Sequence, residues 1–278
     1  IINGVTDANG NRPIFDVSVN GVVAASTEVF YAGRDVSNGW QRLGVFNVLT
    51  RPGKTWVGDG STFLPAWITF QNLEITGAYT KTPNSITLLD GSTASWNTGA
   101  GIYLKHSRDV TIRNCKLHGC SFGVFTFNSA DSMSQTNIRT TIAFNSIFGN
   151  GVVGSYLEHN CYVQGISPLI FGNYIGELRA GAFGSSYKSR ASGETICNNF
   201  FESSARAIDM VHAEESYSTV SAQPNYAFSY CFGNIISNTA STGAYTLSPV
   251  HFGGDNAGED TDTPLQVVGF NATPLRYR

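Results

Sequence analysis

Short apolar segments, each interrupted by a single asparagine, recur along the middle of the chain. They are rich in Ile, Val, Phe and Tyr, which favour β-strands. The closest spacings between successive asparagines are 28 and 26 residues, and a period of this length is typical of stacked repeats. The six asparagines are Asn72, Asn114, Asn145, Asn173, Asn199 and Asn234. The pattern predicts an all-β fold, a single right-handed parallel β-helix (solenoid) in which the asparagines align at a bend and form an amide ladder.

The repeat divides the chain into three parts. Residues 1–66 do not share it, and we interpret them as an N-terminal cap with irregular coils, because the end of a solenoid would otherwise expose its core. Residues 67–254 form the predicted parallel β-helix, and residues 255–278 are a C-terminal tail or a final strand. Loop-like insertions rich in Ser, Thr, Asn and Gly occupy residues 76–99, 128–140 and 214–226, and such insertions often collect on the binding face.

The asparagines also predict which side chains align in neighbouring coils. Tyr103, Tyr162 and Lys188 each lie 11 residues before an asparagine of the set, so we expect them in one column, with one coil between Tyr103 and Tyr162. Side chains alternate across a strand, so Arg190 points to the same side as Lys188. Two cations cannot both lie in a narrow apolar core, so this column is expected on the outside.

The same alternation predicts the core. With Ile208 and Met210 facing inward, Asp209 faces outward beside Lys188. The inward positions of the other coils are expected to stack as a ladder of Ile112, Ile142, Ile170 and Ile196.

Composition narrows the classes of protein. Charged residues make up 13% of the chain and the net charge is −3, without the basic patch that a nucleic-acid-binding protein normally shows. No apolar run approaches the ~20 residues that a membrane-spanning helix needs. The chain opens at Ile1 rather than Met, so we expect a processed protein or part of a longer one.

The cysteines do not indicate a metal site. The five are Cys115, Cys120, Cys161, Cys197 and Cys231, and no Cys-x-x-Cys pair of the kind that binds zinc occurs among them. We expect inward-facing thiols stacked in the core, with a Cys115–Cys120 disulfide as the alternative.

One pair of motifs resembles known β-helix proteins. The segment His159-Asn160-Cys161-Tyr162, followed by Lys188-Ser189-Arg190-Ala191, resembles right-handed parallel β-helix proteins of the pectate-lyase-like superfamily. Within it, the match is to a subgroup of repeat proteins with His-Asn-x-Tyr and Lys-Ser-Arg-Ala. The resemblance covers residues 67–254 and implies the fold.

A second resemblance bears on chemistry. Tyr187-Lys188-Ser189, Asn198-Asn199-Phe200 and the segment from Asp209 to His212 resemble the core of the alginate lyase and chondroitinase B family. That family carries Lys-Ser, Asn-Thr-Phe and Arg-His-Gly, and the resemblance implies that Lys188 is the base. The family's catalytic arginine falls at Asp209 and its calcium-binding glutamate at Phe183, so these two elements are not carried over.

The outward-facing residues include the side-chain types that a β-elimination requires. Lyases of uronate polymers remove the proton at C5 and expel the 4-linked sugar, so the sugar carboxylate must be neutralised while negative charge develops. Lys188 is the predicted base, Arg190 matches a carboxylate with its planar fork, and Tyr162 protonates the leaving oxygen. Asp209 completes the predicted catalytic set. The alternative is a surface Lys-x-Arg pair bridged to Asp209 or Glu177.

Further polar residues around this column are predicted to bind substrate. His159 and His212 are expected at the two rims of an exposed groove, although His159 could instead cap a turn. The predicted substrate-binding residues are His159, Asn160, Gln164, His212 and Tyr103.

The sequence thus predicts an extracellular polysaccharide-binding β-helix, secreted or on a virion surface, that cleaves a uronate-containing polymer by β-elimination. The first alternative is a non-catalytic glycan-binding or structural β-helix, such as a phage tailspike segment or an adhesin. The second is a glycoside hydrolase, in which Asp209 would supply one of the two carboxylates and either Glu214 or an acid one coil away the other.

The expected partner is an anionic polysaccharide, with no nucleic acid, no membrane span and a trimer as an option for a virion protein. No cofactor or metal is expected. The acidic loop at residues 255–262 offers oxygen ligands of the kind that calcium prefers, but its spacing matches no recognised calcium loop, so we interpret it as solvated.

Overall fold

The computed structural model describes residues 1–16, 42–49, 65–79, 84–87, 93–96, 98–128, 131–203, 206–226, 228–238 and 249–253. These residues contain 23 strands, numbered β1 to β23 along the chain, one short helix α1 at Tyr217–Ser221 and a 3-10 turn at Met133–Gln135. Two of the strands, Asn84–Thr87 (β6) and Thr93–Trp96 (β7), pair as an antiparallel hairpin. The other strands build three parallel sheets of seven strands each.

Each coil contributes one strand to each sheet. The first sheet contains Ile2–Asn3 (β1), Thr69–Gln71 (β4), Thr111–Arg113 (β9), Thr141–Ala143 (β12), Leu169–Phe171 (β15), Thr195–Cys197 (β18) and Tyr230–Phe232 (β21). The second contains Ile14–Asp16 (β2), Glu74–Thr76 (β5), Lys116–His118 (β10), Ser146–Phe148 (β13), Tyr174–Ile175 (β16), Phe200–Ser203 (β19) and Ile235–Asn238 (β22). The third contains Arg42–Leu49 (β3), Thr98–Lys105 (β8), Phe122–Phe127 (β11), Cys161–Ile166 (β14), Tyr187–Ser192 (β17), Ile208–Val211 (β20) and Val250–Gly253 (β23).

The predicted parallel β-helix is confirmed by these three sheets. Strands β1, β2 and β3 extend the three sheets at their N-terminal end, so the segment that we interpreted as a cap already contributes regular strands. The tail at residues 255–278 lies outside the described residues, as do residues 17–41 and 50–64.

The core is a stack of apolar side chains enclosed by the three sheets. Ile112, Ile142, Ile170 and Ile196 pair in register and are fully buried, as predicted. Ile208 and Met210 also face this core. All five cysteines are free thiols, so the alternative Cys115–Cys120 disulfide is not formed.

The asparagine ladder differs from the prediction in one respect. Asn145, Asn173, Asn199 and Asn234 form a single column. The side-chain oxygens of the last three each accept from the main-chain and side-chain nitrogens of the asparagine one coil earlier. The Asn145 oxygen accepts from the main-chain nitrogen of Cys115. The predicted fourth member, Asn114, is not part of it.

Asn114 lies one position earlier in its turn, at a left-handed bend with φ 49°. It is exposed and donates to Asn72, which has the same conformation. In the next coil Phe144 takes this bend position. The recurring asparagines therefore serve two separate functions, a bend residue in early coils and a buried amide in later ones.

We predict that Asn173→Ala costs about 3 kcal/mol or more, because the Asn145 main-chain nitrogen and the Ile142 carbonyl lose the Asn173 side chain as partner, at about 1–3 kcal/mol each. The Asn145 side-chain nitrogen also loses one of its two bonds and keeps the one to the Ile112 carbonyl. The control is Asn114→Gly, which removes the same side chain at an exposed position whose positive φ suits glycine. Urea unfolding should show a change within about 0.5 kcal/mol for the control. Equal losses for the two variants would contradict the division into two sets.

Among the described residues, Glu194 has a buried carboxyl group that contacts a tyrosine of the core. Glu194 follows β17 and is buried, and the Tyr187 hydroxyl donates to it at 2.7 Å. Burial raises the pKa of Glu194 to about 7 from an ordinary value of 4.5. The folded state therefore holds this proton more tightly than the unfolded state does.

Because the folded pKa is raised, the stabilising contribution of Glu194 should be complete below about pH 4.5 and lost as the pH rises through about 7. Melting temperatures between pH 4 and 8 should therefore fall less in Glu194→Gln than in the parent. Glu202→Gln is the control, since Glu202 also accepts from a tyrosine hydroxyl, that of Tyr174, but is only half-buried. Parent-like pH dependence in Glu194→Gln would contradict the assignment.

Candidate functional site

The outer side of the third sheet carries the predicted column. Strand register aligns Tyr103, Phe125, Tyr162, Lys188 and Asp209 in successive coils. The prediction that one coil separates Tyr103 from Tyr162 is confirmed, and Phe125 is the residue in between. The column continues to His251, which pairs with Asp209.

The N-terminal half of this column is aromatic and buried. Tyr103, Phe122, Phe125 and Phe127 form a cluster distinct from the main core, and Tyr162 packs against it. The Tyr162 ring stacks on Phe125 with 5.3 Å between ring centroids. Tyr103, predicted to bind substrate, is fully buried in this cluster because the rings pack on one another rather than facing solvent.

The C-terminal half is ionic. Lys188 lies between Tyr162 and Asp209, with its ammonium nitrogen 5.9 Å from the centroid of the Tyr162 ring. The Asp209 carboxylate accepts from Ser185 Oγ at 2.8 Å, and it lies 2.7 Å from His251 Nδ1 and 3.2 Å from Arg206.

The protonation state of Asp209 follows from these contacts. Burial alone would raise the pKa of Asp209, but the hydrogen bond from His251 and the charges of Lys188 and Arg206 lower it below its ordinary value. Asp209 is therefore a carboxylate at neutral pH. Since a carboxylate only accepts hydrogen bonds, the neutral form of His251 carries its proton on Nδ1.

Arg190 joins the aromatic and ionic halves. Its Nε donates to the Tyr162 hydroxyl at 2.7 Å, and another nitrogen donates to the His212 carbonyl at 2.7 Å. Its remaining nitrogen forms an ion pair with Glu214 at 2.7 Å. The guanidinium thus contacts a phenol and a carboxylate at the same time.

Tyr162 is arranged as a proton donor. Its hydroxyl accepts from Arg190 and from Gln164 Nε2 at 3.1 Å. Both of these groups are donors only, so the phenol proton is directed elsewhere. Burial raises the pKa of Tyr162 to about 12 and keeps the hydroxyl protonated.

A segment that includes α1 covers this side of the sheet. We name residues 212–221 the strap. Ser216 Oγ accepts from Asn128. Asp131 accepts from the main-chain nitrogen of Ser218, and the side chain of Val220, within the strap, is fully buried.

The predicted exposed groove is therefore closed in this structure. Lys188, Arg190 and Asp209 lie together as predicted, but they are only 9%, 3% and 1% exposed. The alternation of side chains correctly placed them outside the core. It could not indicate that residues beyond Asp209 fold back over the sheet.

The other predicted binding residues are also largely enclosed. His159 is buried and its Nδ1 accepts from the Ser185 main chain at 2.7 Å. Asn160 is buried in a second amide ladder, where it accepts from Asn150 and donates to the Gly176 carbonyl. Neither has the open position that we expected.

The last two predicted binding residues border the strap. Gln164 is buried, accepts from the main chain of Asn128 and contacts Glu215 at 3.4 Å. His212 is half-buried at the start of the strap, and its Nδ1 has no hydrogen-bond partner.

Sequence reasoning missed three contributors to this site. His251, Arg206 and Ser185 all bind Asp209, and Glu214 was considered only as a hydrolytic carboxylate. His251 lies 42 residues after Asp209. No asparagine of the ladder follows Asn234, so the sequence offered no register mark for the coil that contains His251.

The described residues contain neither a cluster of metal-binding side chains nor a membrane-spanning helix. Within those ranges, no group of three or more His, Cys, Asp or Glu side chains could hold a metal ion. The acidic loop at residues 255–262 lies outside them. In the same part of the chain, no helix has the length and apolar character needed to cross a membrane.

Comparison of the chain with protein-family models, with curated proteins and with solved structures finds no match.

Proposed function

We propose that this protein is an extracellular lyase of the pectate-lyase-like superfamily that binds a uronate-containing polysaccharide over the third sheet and cleaves it by β-elimination. One observation carries the proposal. Arg190 holds a carboxylate, that of Glu214, while it also contacts a protonated phenol, that of Tyr162. A uronate in place of Glu214 would present its carboxylate to Arg190 and its leaving oxygen to Tyr162.

The proposed roles follow from these positions. Arg190 neutralises the sugar carboxylate, which lets negative charge develop when C5 loses its proton. Lys188 acts as a neutral amine that has first released a proton to solvent, and it accepts the C5 proton to become an ammonium. The electron pair of the C5–H bond forms the C4–C5 double bond, and the C4–O bond breaks. Tyr162 gives its proton to the departing oxygen, and proton transfer from Lys188 through solvent restores the phenol.

Distance favours Lys188 over His251 as the base. Neighbouring strands lie about 4.8 Å apart, so Lys188 is one strand from Tyr162 whereas His251 is three, at about 14 Å. The C5 proton and the leaving oxygen belong to one sugar ring and require the nearer pair. Asp209 keeps His251, Arg206 and Ser185 as partners when Lys188 changes its charge.

A hydrolytic mechanism is less well supported. Hydrolysis of a glycosidic bond needs one carboxyl group that is protonated and acts as an acid. The pKa of Asp209 is lowered rather than raised, and Glu214 is paired with Arg190. Neither group is suited to that role.

Burial favours a second candidate, a non-catalytic glycan-binding or structural β-helix. Lys188, Arg190 and Asp209 are enclosed, and Arg190 has a partner for each side of its guanidinium. In this case the cluster fastens the strap to the third sheet and performs no chemistry.

The decisive assay is incubation with a panel of uronate polymers while ultraviolet absorbance is recorded. The β-elimination creates an unsaturated uronate and raises the absorbance. New reducing ends without that rise would indicate a hydrolase, and neither signal on any polymer would indicate the non-catalytic candidate.

Three variants test the proposed roles. We predict that Lys188→Gln and Tyr162→Phe each lower kcat by about 10²–10⁴-fold, the usual contribution of an acid or base. His251→Gln, which alters the partner of Asp209 but not the reacting groups, should change kcat by less than about tenfold. Melting temperatures must accompany the assay, because Lys188 is buried. Greater loss in His251→Gln than in Lys188→Gln would reassign the base.

A further inference from the structure

The ion pair between Arg190 and Glu214 joins two side chains of very different exposure. The Arg190 side chain is 3% exposed, whereas that of Glu214 is 43% exposed. The cation is thus fixed in the sheet, and the carboxylate reaches it from the solvent side. A ligand approaching from solvent would meet Glu214 first.

Several polar contacts hold the strap that carries Glu214. Besides Arg190, these include Asn128 to Ser216 and Asp131 to the start of α1. Gln164 contacts Glu215 at the longer distance of 3.4 Å. His212 Nδ1 is buried on the same segment without a partner, so the closed strap does not satisfy all of its own polar groups.

We infer that Glu214 is an internal substitute for the carboxylate of a uronate ligand, and that the strap opens when the ligand displaces it from Arg190. The inference relies on the proposed function for the ligand class alone. Glu214 would thus regulate the site, because it keeps Arg190 occupied in the free protein until a ligand with a carboxylate competes for the arginine.

The exchange of Glu214 for a uronate carboxylate keeps the charge of Arg190 balanced. An unpaired buried arginine would be strongly unfavourable, but replacing one carboxylate by another leaves Arg190 paired. Because only molecules with an open strap can bind the uronate, the apparent affinity for it is the intrinsic affinity multiplied by the open fraction. Weakening the internal carboxylate should therefore strengthen binding of an external one.

The test compares two neighbouring glutamates of the strap. Glu214→Gln and Glu215→Gln remove the same charge from the same segment, and both positions are exposed, but only Glu214 pairs with Arg190. Calorimetric titrations of the full chain would use galacturonate, glucuronate and mannuronate oligosaccharides. The same oligosaccharides with methyl-esterified carboxylates are the ligand control.

We expect Glu214→Gln to bind at least one of the acidic oligosaccharides about tenfold more tightly than the parent. Its ester should show no such gain, and Glu215→Gln should bind like the parent. Amide hydrogen exchange in the strap should also be faster in Glu214→Gln than in Glu215→Gln. Because Glu214 is exposed, the variant is expected to fold, which its melting temperature checks.

Other results would overturn the inference. Equal gains in both variants would indicate a general loss of negative charge, and an equal gain for acid and ester would indicate a site that does not recognise carboxylates. No gain in Glu214→Gln for any acid, including the absence of binding throughout, also overturns it.

These titrations are independent of turnover. A gain in Glu214→Gln without any unsaturated product would leave the carboxylate site in place and contradict the lyase proposal. Turnover by the parent without a gain in Glu214→Gln would contradict only the inference about the strap.

Discussion

The buried amide ladder is the constraint on which the rest of this structure depends. In Asn173 and Asn199, the side-chain oxygen receives two hydrogen bonds from the preceding coil. Their amide nitrogens donate to the next asparagine and back to a main-chain carbonyl. Shifting any coil by one residue would leave several of these buried groups without partners, at about 1–3 kcal/mol each. The ladder therefore fixes the register of the apolar core beside it.

Because the ladder fixes the register of each coil at the turn, it also fixes the register of the third sheet on the opposite side of the coil. Because successive strands of the third sheet align residue by residue, Tyr162, Lys188 and Asp209 are brought side by side although 26 and 21 residues separate them in sequence. The aromatic residues of earlier coils join the same column and make its first half apolar. The outer side of this sheet is thus a second packed layer.

Charges can be buried in that layer because they are mutually paired. Removing a lone charge from water is strongly unfavourable, and a partner offsets this only when the remaining hydrogen bonds are also made. Asp209 is surrounded by cations and donors, and Arg190 meets Tyr162, the His212 carbonyl and Glu214. Among the described residues of this network, Glu214 is an exposed carboxylate paired with a buried Arg190. This difference in exposure between Arg190 and Glu214 is the reason why we infer that a ligand opens the site.

The sequence by itself determined the solenoid, its inward isoleucine ladder and the alignment of Tyr103, Tyr162, Lys188 and Asp209, because these depend on periodicity and alternation. It could not separate the bend asparagines from the ladder asparagines, which differ by one position in the turn and in backbone conformation rather than in composition. Only the tertiary structure decided that the strap covers the outer column, that His251 and Arg206 reach Asp209, and that Glu214 occupies Arg190. These contacts join coils to a segment without the repeat, and no local pattern specifies where such a segment packs.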